Sequence, residues 1–556
     1  MKNNVYTFCR QKIVLLFVLL LIGVWSLAQG FSPNVQARLQ QLLDSVQNSL
    51  DNPVVGGMSV VIDVDGLAVW QGVTGYAARN VDAQNNLLPG GVPMTKETVS
   101  HMYSVTKTFT SALVLELARE GYFSLEDPVS KFIPFLPYVN ADLDGSVTIR
   151  QLMAHESGWS DYQNEPMIAF AVAAMPDKVF TPYEVLSFVH QEAPKGGPRR
   201  YSSTNYITLG AIIENATAKP VEQHYRERFF TPLGLNSMYL SVREPGRPGE
   251  LLASPHDNFY PLNDIFAYLE SPLRFPFAFT NVSVLPFTGI HSMAFTGGGL
   301  VANAADMAKW GNALYGGRAT SAATLQTIIE SLDDVPDPDG DYLGYGIYTN
   351  NRVSTTDYFY GHQGRAPGYR AIMWYQPDRK MTISVLTNFS GLDVRLGGLS
   401  PYAIAKVLYD ALPNFIGGND NRKEAKIILC QNGKEIMVAR PAAANLIKKG
   451  AYLGPCDEIL PLIPDKVTKK EFALTVYPNP AFSNATFNIK AAEKGKVTLR
   501  LIDPQGQIAR ILFSGNMEKG SSQTVTLAAY LFAPGLYTAQ LVTASGIYQK
   551  QLVIAK

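Results

Sequence analysis

An excess of charge of either sign is missing from this sequence. Its 556 residues carry 47 Lys and Arg against 47 Asp and Glu, a formal net charge of +0. No global basic field exists to attract nucleic acid, and no acidic excess to gather cations. Cysteine is scarce as well: of three, Cys9 lies in the N-terminal segment, leaving only Cys430 and Cys456 beyond it. That excludes a cysteine-rich zinc module. His101, His190 and His291 show no metal spacing and H-E-x-x-H is absent, which disfavours a zinc hydrolase. No metal or other cofactor is expected. G-x-S-x-G and G-x-x-x-x-G-K-[ST] are also absent, so a hydrolase elbow and a nucleotide-phosphate loop lack support. Gly297, Gly298 and Gly299 follow Phe295-Thr296 without a phosphate-binding context, and a tight turn explains them.

Apolar material is plentiful. Hydrophobic residues make up 46% and charged residues 17%, which argues against wholesale disorder. The length suggests two or three domains. Lys2, Arg10 and Lys12 precede an almost wholly apolar run over 13–27, and Ser26-Leu27-Ala28 supplies small residues where a signal peptidase reads. Residues 1–28 are therefore expected to be a signal peptide, with a permanent membrane anchor as the alternative. With cleavage, no stable membrane span is expected. No cysteine follows the cleavage site, against a lipoprotein. Cys430 and Cys456 form an even pair that an oxidising compartment would join, two buried thiols being the other reading.

Residues 32–412 read as one mixed α/β unit. Val35, Leu39, Leu42, Leu43, Val46 and Leu50 recur at helical spacing, with Ser32 as N-cap. Two β-rich runs flank the Asp65-Gly66 turn over 57–75, and further strands are expected over 369–375 and 381–387 around Pro377-Asp378. Helical patterns cover 106–120 and 206–216. Strands at both ends and helices between predict an α/β (α+β) fold: an antiparallel sheet closed by the two chain ends, flanked by helices, with a helical lobe inserted. Residues 413–470 form a linker, Gly-, Asn- and Asp-rich over 413–422, that contains a small module bounded by Cys430 and Cys456. Residues 472–556 have short alternating strands and Gly turns, which predict a small β-sandwich.

Ser104-Val105-Thr106-Lys107 carries the chemistry. It precedes an apolar-periodic stretch over 109–117, so it belongs to the first turn of a helix. Residues three apart share a helix face, which sets the Lys107 amine beside the Ser104 hydroxyl. The helix N-terminus adds positive potential and free N–H groups. A serine hydroxyl is a weak nucleophile until a base takes its proton, and a desolvated lysine can do so. Tyr201-Ser202-Ser203-Thr204-Asn205-Tyr206 stands before a later helix. Gly361-His362-Gln363-Gly364 opens a turn leading into the strand at Tyr369.

In that order these three segments resemble the motifs of the family containing class C β-lactamases, D-alanyl-D-alanine carboxypeptidases and related esterases. Residues 125–134, 152–158 and 295–300 are similar to recurrent segments of the same family, and the likeness covers most of 32–412. It implies that Ser104 forms an acyl-enzyme, while Lys107 holds the proton network and its charge favours the phenolate of Tyr201. Tyr201 would act as second base and then protonate the leaving group. His362 would stand near Tyr201 and the substrate carboxylate as neutral or charged imidazole. Gly364 would let the substrate backbone lie along the strand, with the N–H groups of Ser104 and Arg365 as oxyanion hole. One departure stands out: Ser203 occupies the position of the Asn in Y-x-N, and Asn205 is out of register with it. His155 is read as a structural hydrogen-bonder.

The resemblance implies an exported serine hydrolase of small peptides, esters or β-lactams. A D-alanyl-D-alanine carboxypeptidase-like or D-peptide hydrolase heads the expectation, with an esterase, a β-lactamase and a silent surface binding protein as alternatives. No nucleic-acid partner is expected. The opening of the last segment, Val476-Tyr477-Pro478-Asn479-Pro480-Ala481, with Asp503-Pro504-Gln505-Gly506 and Pro534-Gly535-Leu536-Tyr537, resembles the type IX secretion C-terminal sorting domain of Bacteroidetes. That resemblance implies the type IX secretion machinery as partner and a secreted or cell-surface location. The segment ending at Cys456 resembles a short cysteine-bounded piece of secreted proteins in the same phylum.

Overall fold

The computed structural model describes residues 30–48, 56–83, 87–257, 280–334, 341–350, 352–354, 357–390, 401–412 and, with short interruptions, 416–456 and 473–554. The expected signal peptide and the Asp503–Gly506 turn lie outside the described residues. The chain divides into two compact units, Met1–Leu460 and Pro461–Lys556.

The larger unit is built on a seven-stranded antiparallel sheet. Its strands are β1 (Gly57–Val64), β2 (Ala68–Val81), β3 (Leu87–Pro93), β4 (Tyr348–Asn350), β5 (Phe359–Ala366), β6 (Tyr369–Gln376) and β7 (Met381–Thr387). Their order is β3-β2-β1-β7-β6-β5-β4. Early β1 pairs with late β7, Val61 opposite Ser384 and Ile62 opposite Ile383, so the two ends of the unit close the sheet as expected. Gly66 takes φ 70°, the left-handed conformation the β1–β2 hairpin needs.

Alternation along β1 feeds two cores. Val60 and Ile62 pack with α1 (Pro33–Asn48) and α6 (Pro401–Tyr409) on one face. Val61 enters the other core with α2 (Thr106–Arg119), α3 (Ser203–Thr217), α4 (Phe287–Gly298) and α5 (Ala304–Tyr315). On α1 the helical stripe Val35, Leu39, Leu42, Leu43 and Val46 is buried, with Arg38 and Gln47 beside it, while Leu50 lies outside the described residues. Ser32 does not cap that helix through its side chain; its Oγ is buried without a hydrogen-bond partner among the described residues. α2 is buried almost all round, as a helix must be when sheet and helical lobe enclose it.

Residues 427–454 add β8 (Ile427–Gln431), β9 (Lys434–Val438), α7 (Arg440–Ile447) and β10 (Tyr452–Leu453). Leu429, Ala443, Ile447 and Leu453 are buried in the same core as α1, and Ile416 joins them. The Arg440 guanidinium donates to the carbonyls of Arg379 (2.7 Å) and Asp65 (2.8 Å), tying this piece to two sheet turns. Cys430 and Cys456 form a disulfide with Cα atoms 4.8 Å apart.

The smaller unit has β11 (Ala473–Tyr477), β12 (Asn484–Lys490), β13 (Gly495–Ile502), β14 (Ile508–Met517), β15 (Ser522–Ala528), β16 (Gly535–Thr543) and β17 (Gly546–Ile554). They form sheets β11-β12-β15 and β14-β13-β16-β17. Inward residues such as Phe487, Ile489, Leu499 and Leu541 make a separate core, the sandwich expected from the alternating pattern.

Candidate active site

Ser104 sits in a single 3₁₀ turn, Tyr103–Val105, that runs directly into α2. Tyr103 has φ 44°, so the residue before Ser104 is held in a region that non-glycine residues seldom adopt. One turn on, the Lys107 amine lies 3.2 Å from Ser104 Oγ, 3.3 Å from Ser203 Oγ and 2.7 Å from the Gly297 carbonyl. Lys107 is 0% exposed. Burial pulls its pKa down to about 7, with Asp161 opposing the shift. A lysine poised there is neutral in a substantial fraction of molecules near pH 7, which a general base requires.

The glycine run does more than turn the chain. α4 kinks at Phe295, whose φ is 33°, and the kink presents the Gly297 carbonyl to Lys107. A Cβ on Gly297 would come within 3.3 Å of the Ser203 carbonyl. Sequence alone gave no reason to link this run to Lys107, 190 residues away.

Tyr201 stands two residues before α3, next to its N-cap Ser202. Its hydroxyl is buried without a well-formed hydrogen bond among the described residues, and its ring lies under the Lys107 amine at 4.9 Å. Burial raises its pKa well above 10, with Tyr348 adding to the rise and Ser104 opposing it. This is opposite to the expected phenolate: desolvation of both groups leaves a phenol beside a weakened lysine. His155 stacks on Tyr201 with centroids 4.6 Å apart, and its Nδ1 accepts the Ser202 N–H at 3.1 Å. It thereby orients the segment that bears Tyr201.

His362 and Gly364 lie inside strand β5 and not in a turn. Two glycines in four residues suggested a turn, yet they serve close approach. A Cβ on Gly364 would fall 1.9 Å from the Met102 carbonyl and 3.1 Å from Ser104 N, so β5 lies against the start of α2. His362 Nδ1 is 2.6 Å from the Gln363 carbonyl, which can only accept, so Nδ1 carries the proton and Nε2 is left as a lone pair. Burial and Lys107 lower the imidazole to about 3, so it is neutral. Its ring centroid is 6.2 Å from Tyr201 and 5.0 Å from Tyr348. Arg365 follows Gly364 on β5, its side chain exposed.

Ser203 opens α3 at the position where the related motif has Asn, 1% exposed. Gln163 Nε2 donates to its hydroxyl at 3.3 Å, so a carboxamide stands at Ser203 although Y-x-N lacks one. Asp161 also hydrogen-bonds Ser203, and burial raises its carboxyl while Lys107 pulls it down. Asn205 is turned elsewhere and accepts from Ser157 Oγ at 2.7 Å. Asp161, Gln163 and Tyr348 were not read from the sequence; polar residues in the Trp159-Ser160-Asp161-Tyr162-Gln163 loop were the only signal. Among the described residues, no group of His, Cys, Asp and Glu is arranged to hold a metal ion, and no helix is long and apolar enough to cross a membrane.

Residues 39–403 match the family model described as Beta-lactamase, and residues 475–555 that of the Secretion system C-terminal sorting domain. Penicillin-binding protein 4 of Amycolatopsis lactamdurans is 32% identical over 152 residues, 26% of this chain and 37% of that protein. An unguisins hydrolase of Aspergillus campestris is 26% identical over 227 residues, 38% of this chain and 39% of that protein. The matches thus span little more than a third of these relatives' lengths. The fold resembles a D-amino acid amidase from Ochrobactrum anthropi SV3, with TM-score 0.52 and 23% identity over 68% of this chain and 97% of that one. It also resembles the octameric penicillin-binding protein homologue from Pyrococcus abyssi, with TM-score 0.51 and 20% identity over 94% and 96%.

Proposed function

Since this secreted or cell-surface chain belongs to the β-lactamase family through residues 39–403 and ends in a type IX sorting domain, we propose that it hydrolyses D-configured peptides or amides through an acyl-enzyme on Ser104. The observation that carries this reading is the buried Lys107 amine 3.2 Å from Ser104 Oγ, lowered to about 7. The neutral amine takes the Ser104 proton as Oγ attacks the carbonyl carbon. The N–H groups of Ser104 and Arg365 receive the developing oxyanion. The Tyr201 phenol protonates the departing amine, and the resulting phenolate is paired with the Lys107 ammonium. Water then attacks the acyl-enzyme and gives its proton to Tyr201, while Lys107 returns its proton to Ser104 Oγ. Both bases end as they began.

The D-configured class is supported by the relatives, which include a penicillin-binding protein and a D-amino acid amidase. Export places the enzyme away from the cell's own wall, so external peptides or esters are its substrates. Ester hydrolysis is the second reading, favoured by Ser203, which lacks the amide reach of Asn. Intact mass of the full chain after exposure to a penicillin or a D-alanyl-D-alanine peptide tests both. An acyl adduct absent from Ser104→Ala is expected. No adduct, with Ser104-dependent cleavage of p-nitrophenyl acetate, would move the assignment to an esterase; silence in both would remove the enzyme reading.

A further inference from the structure

Asp161 lies in a loop opposite the start of α3, and hydroxyls on both sides of Ser203 hold that loop in place. The Ser160 carbonyl accepts from Ser202 Oγ at 3.1 Å and from Thr204 Oγ1 at 2.7 Å. Thr204 Oγ1 in turn accepts the Tyr162 N–H at 2.9 Å. Ser160 and Tyr162 are thereby clamped to Ser202 and Thr204. The clamp sets Asp161, between the first two, against Ser203, between the second two. The Asp161 carboxylate caps the short 3₁₀ turn Tyr162–Asn164 by accepting the Gln163 N–H at 3.1 Å. It also accepts the Ser203 main-chain N–H and hydroxyl. These partners are all donors, which favours the ionised carboxyl.

A cap accounts for the Gln163 contact and leaves the Ser203 contacts unexplained. A hydroxyl has one donor and two acceptor lone pairs, and that of Ser203 is fully committed. It accepts from Lys107 Nζ and from Gln163 Nε2, each at 3.3 Å, and donates to Asp161. One oxygen atom thus joins the Lys107 amine to a carboxylate; an asparagine there would need both ends of its amide to make the same link. The titratable groups facing Lys107 are His155 and Asp161 from the preceding loops, Tyr201, Tyr206 on α3 and His362 on β5. Burial keeps both imidazoles uncharged and both phenols protonated. Asp161 also faces Tyr162, another phenol that burial keeps protonated. Among the described residues Asp161 is therefore the one anion acting on this lysine.

We propose that Asp161 is the counter-ion of the Lys107 ammonium, a positioning residue that acts through Ser203 and balances the charge created when Lys107 removes the Ser104 proton. That proton leaves Ser104 Oγ and stays on Lys107 Nζ. None passes to Asp161, and Ser203 keeps its own hydrogen, pointed at the carboxylate. The inference rests on Ser104 and Lys107 as nucleophile and base, and its test separates the two. Asp161→Asn distinguishes counter-ion from cap, because Asn caps a helical turn as well as Asp and still accepts from Ser203, without the charge. With the full chain and p-nitrophenyl acetate, the rising limb of kcat/KM should move toward acid by about one pH unit, a tenfold loss of proton affinity in a base deprived of its anion. A limb that stays in place would leave Asp161 a cap and overturn the counter-ion. Denaturant midpoints at pH 6, where Lys107 is largely charged, read the pair without turnover. Asp161→Asn should lower the midpoint in the wild type by stranding a buried ammonium. In the Lys107→Met background, where the carboxylate has lost its cation, it should leave the midpoint unchanged or raise it. Equal shifts in both backgrounds overturn the pairing. Undiminished ester cleavage by Ser104→Ala would instead sink the nucleophile, and the midpoints would still decide the pair.

Discussion

The Lys107 amine and the Gly297 carbonyl are 2.7 Å apart, the shortest of three polar contacts that hold this buried lysine. A carbonyl acceptor favours the protonated amine, and burial disfavours it more strongly, leaving a base that titrates at about 7. A lysine acts as base only when neutral. kcat/KM for a neutral ester should therefore rise with pH along a limb centred near 7. His362, already neutral above about 3, should add no limb between pH 5 and 9. Lys107→Met should lower kcat/KM by about 10²–10⁴-fold and erase the limb.

The same burial predicts a stability signature. In the unfolded chain Lys107 titrates near its ordinary 10.5, in the fold at about 7. Below 7 both states hold the proton and the fold carries the full cost of a buried charge. Between 7 and 10.5 the unfolded state binds more protons, so stability rises with pH. Denaturant midpoints of the wild type and Lys107→Met should differ more in the variant's favour at pH 6 than at pH 10. A gap that does not change with pH would mean that Lys107 is not buried as a charge.

Tyr201 is the proton donor in the proposed cycle because burial keeps it a phenol. Tyr201→Phe retains the ring against His155 and removes only the proton. It should slow amide cleavage by about 10²–10⁴-fold, and an ester with a good leaving group, such as p-nitrophenolate, far less. Equal losses on both substrates would assign Tyr201 a role other than leaving-group protonation.

Gly364 is fixed by contact with the protein itself. A Cβ there would lie 1.9 Å from the Met102 carbonyl, a backbone atom that cannot swing aside. Gly364→Ala should push β5 off the start of α2, costing about 1–3 kcal/mol of stability. A displacement near 1 Å at the oxyanion site should cost about 10²-fold in kcat. Both are measured on the folded fraction after gel filtration.

What could be read beforehand follows a physical division. Ser104 and Lys107 were legible because one helix turn brings them together, and α1, β6 and β7 because their apolar periods match their elements. The Gly297 carbonyl, Asp161 and Gln163 were not, since a main-chain acceptor leaves no mark in composition and Asp161 and Gln163 reach the site together from a loop remote in sequence from Ser104. His362 was misplaced in a turn because glycine signals a turn and a close approach alike. Only the Met102 carbonyl, visible in space, tells them apart.

Ser203 supplies the last test, because it replaces an amide with a hydroxyl at a contact to Lys107. Its Oγ lies 3.3 Å from Nζ and receives Gln163 Nε2 at the same distance. Ser203→Ala removes an acceptor that the ammonium binds more strongly than the neutral amine does. A hydrogen bond to a charged group is worth about 1.5–3 kcal/mol, and one pKa unit about 1.4 kcal/mol. The loss should thus move the rising limb of kcat/KM toward acid by about one unit. Ser203→Asn returns an acceptor, so the limb should stay near 7. If Ser203→Ala instead leaves the limb where it was, Ser203 takes no part in setting the charge of Lys107 and only fills the space that a longer amide occupies in the related motif.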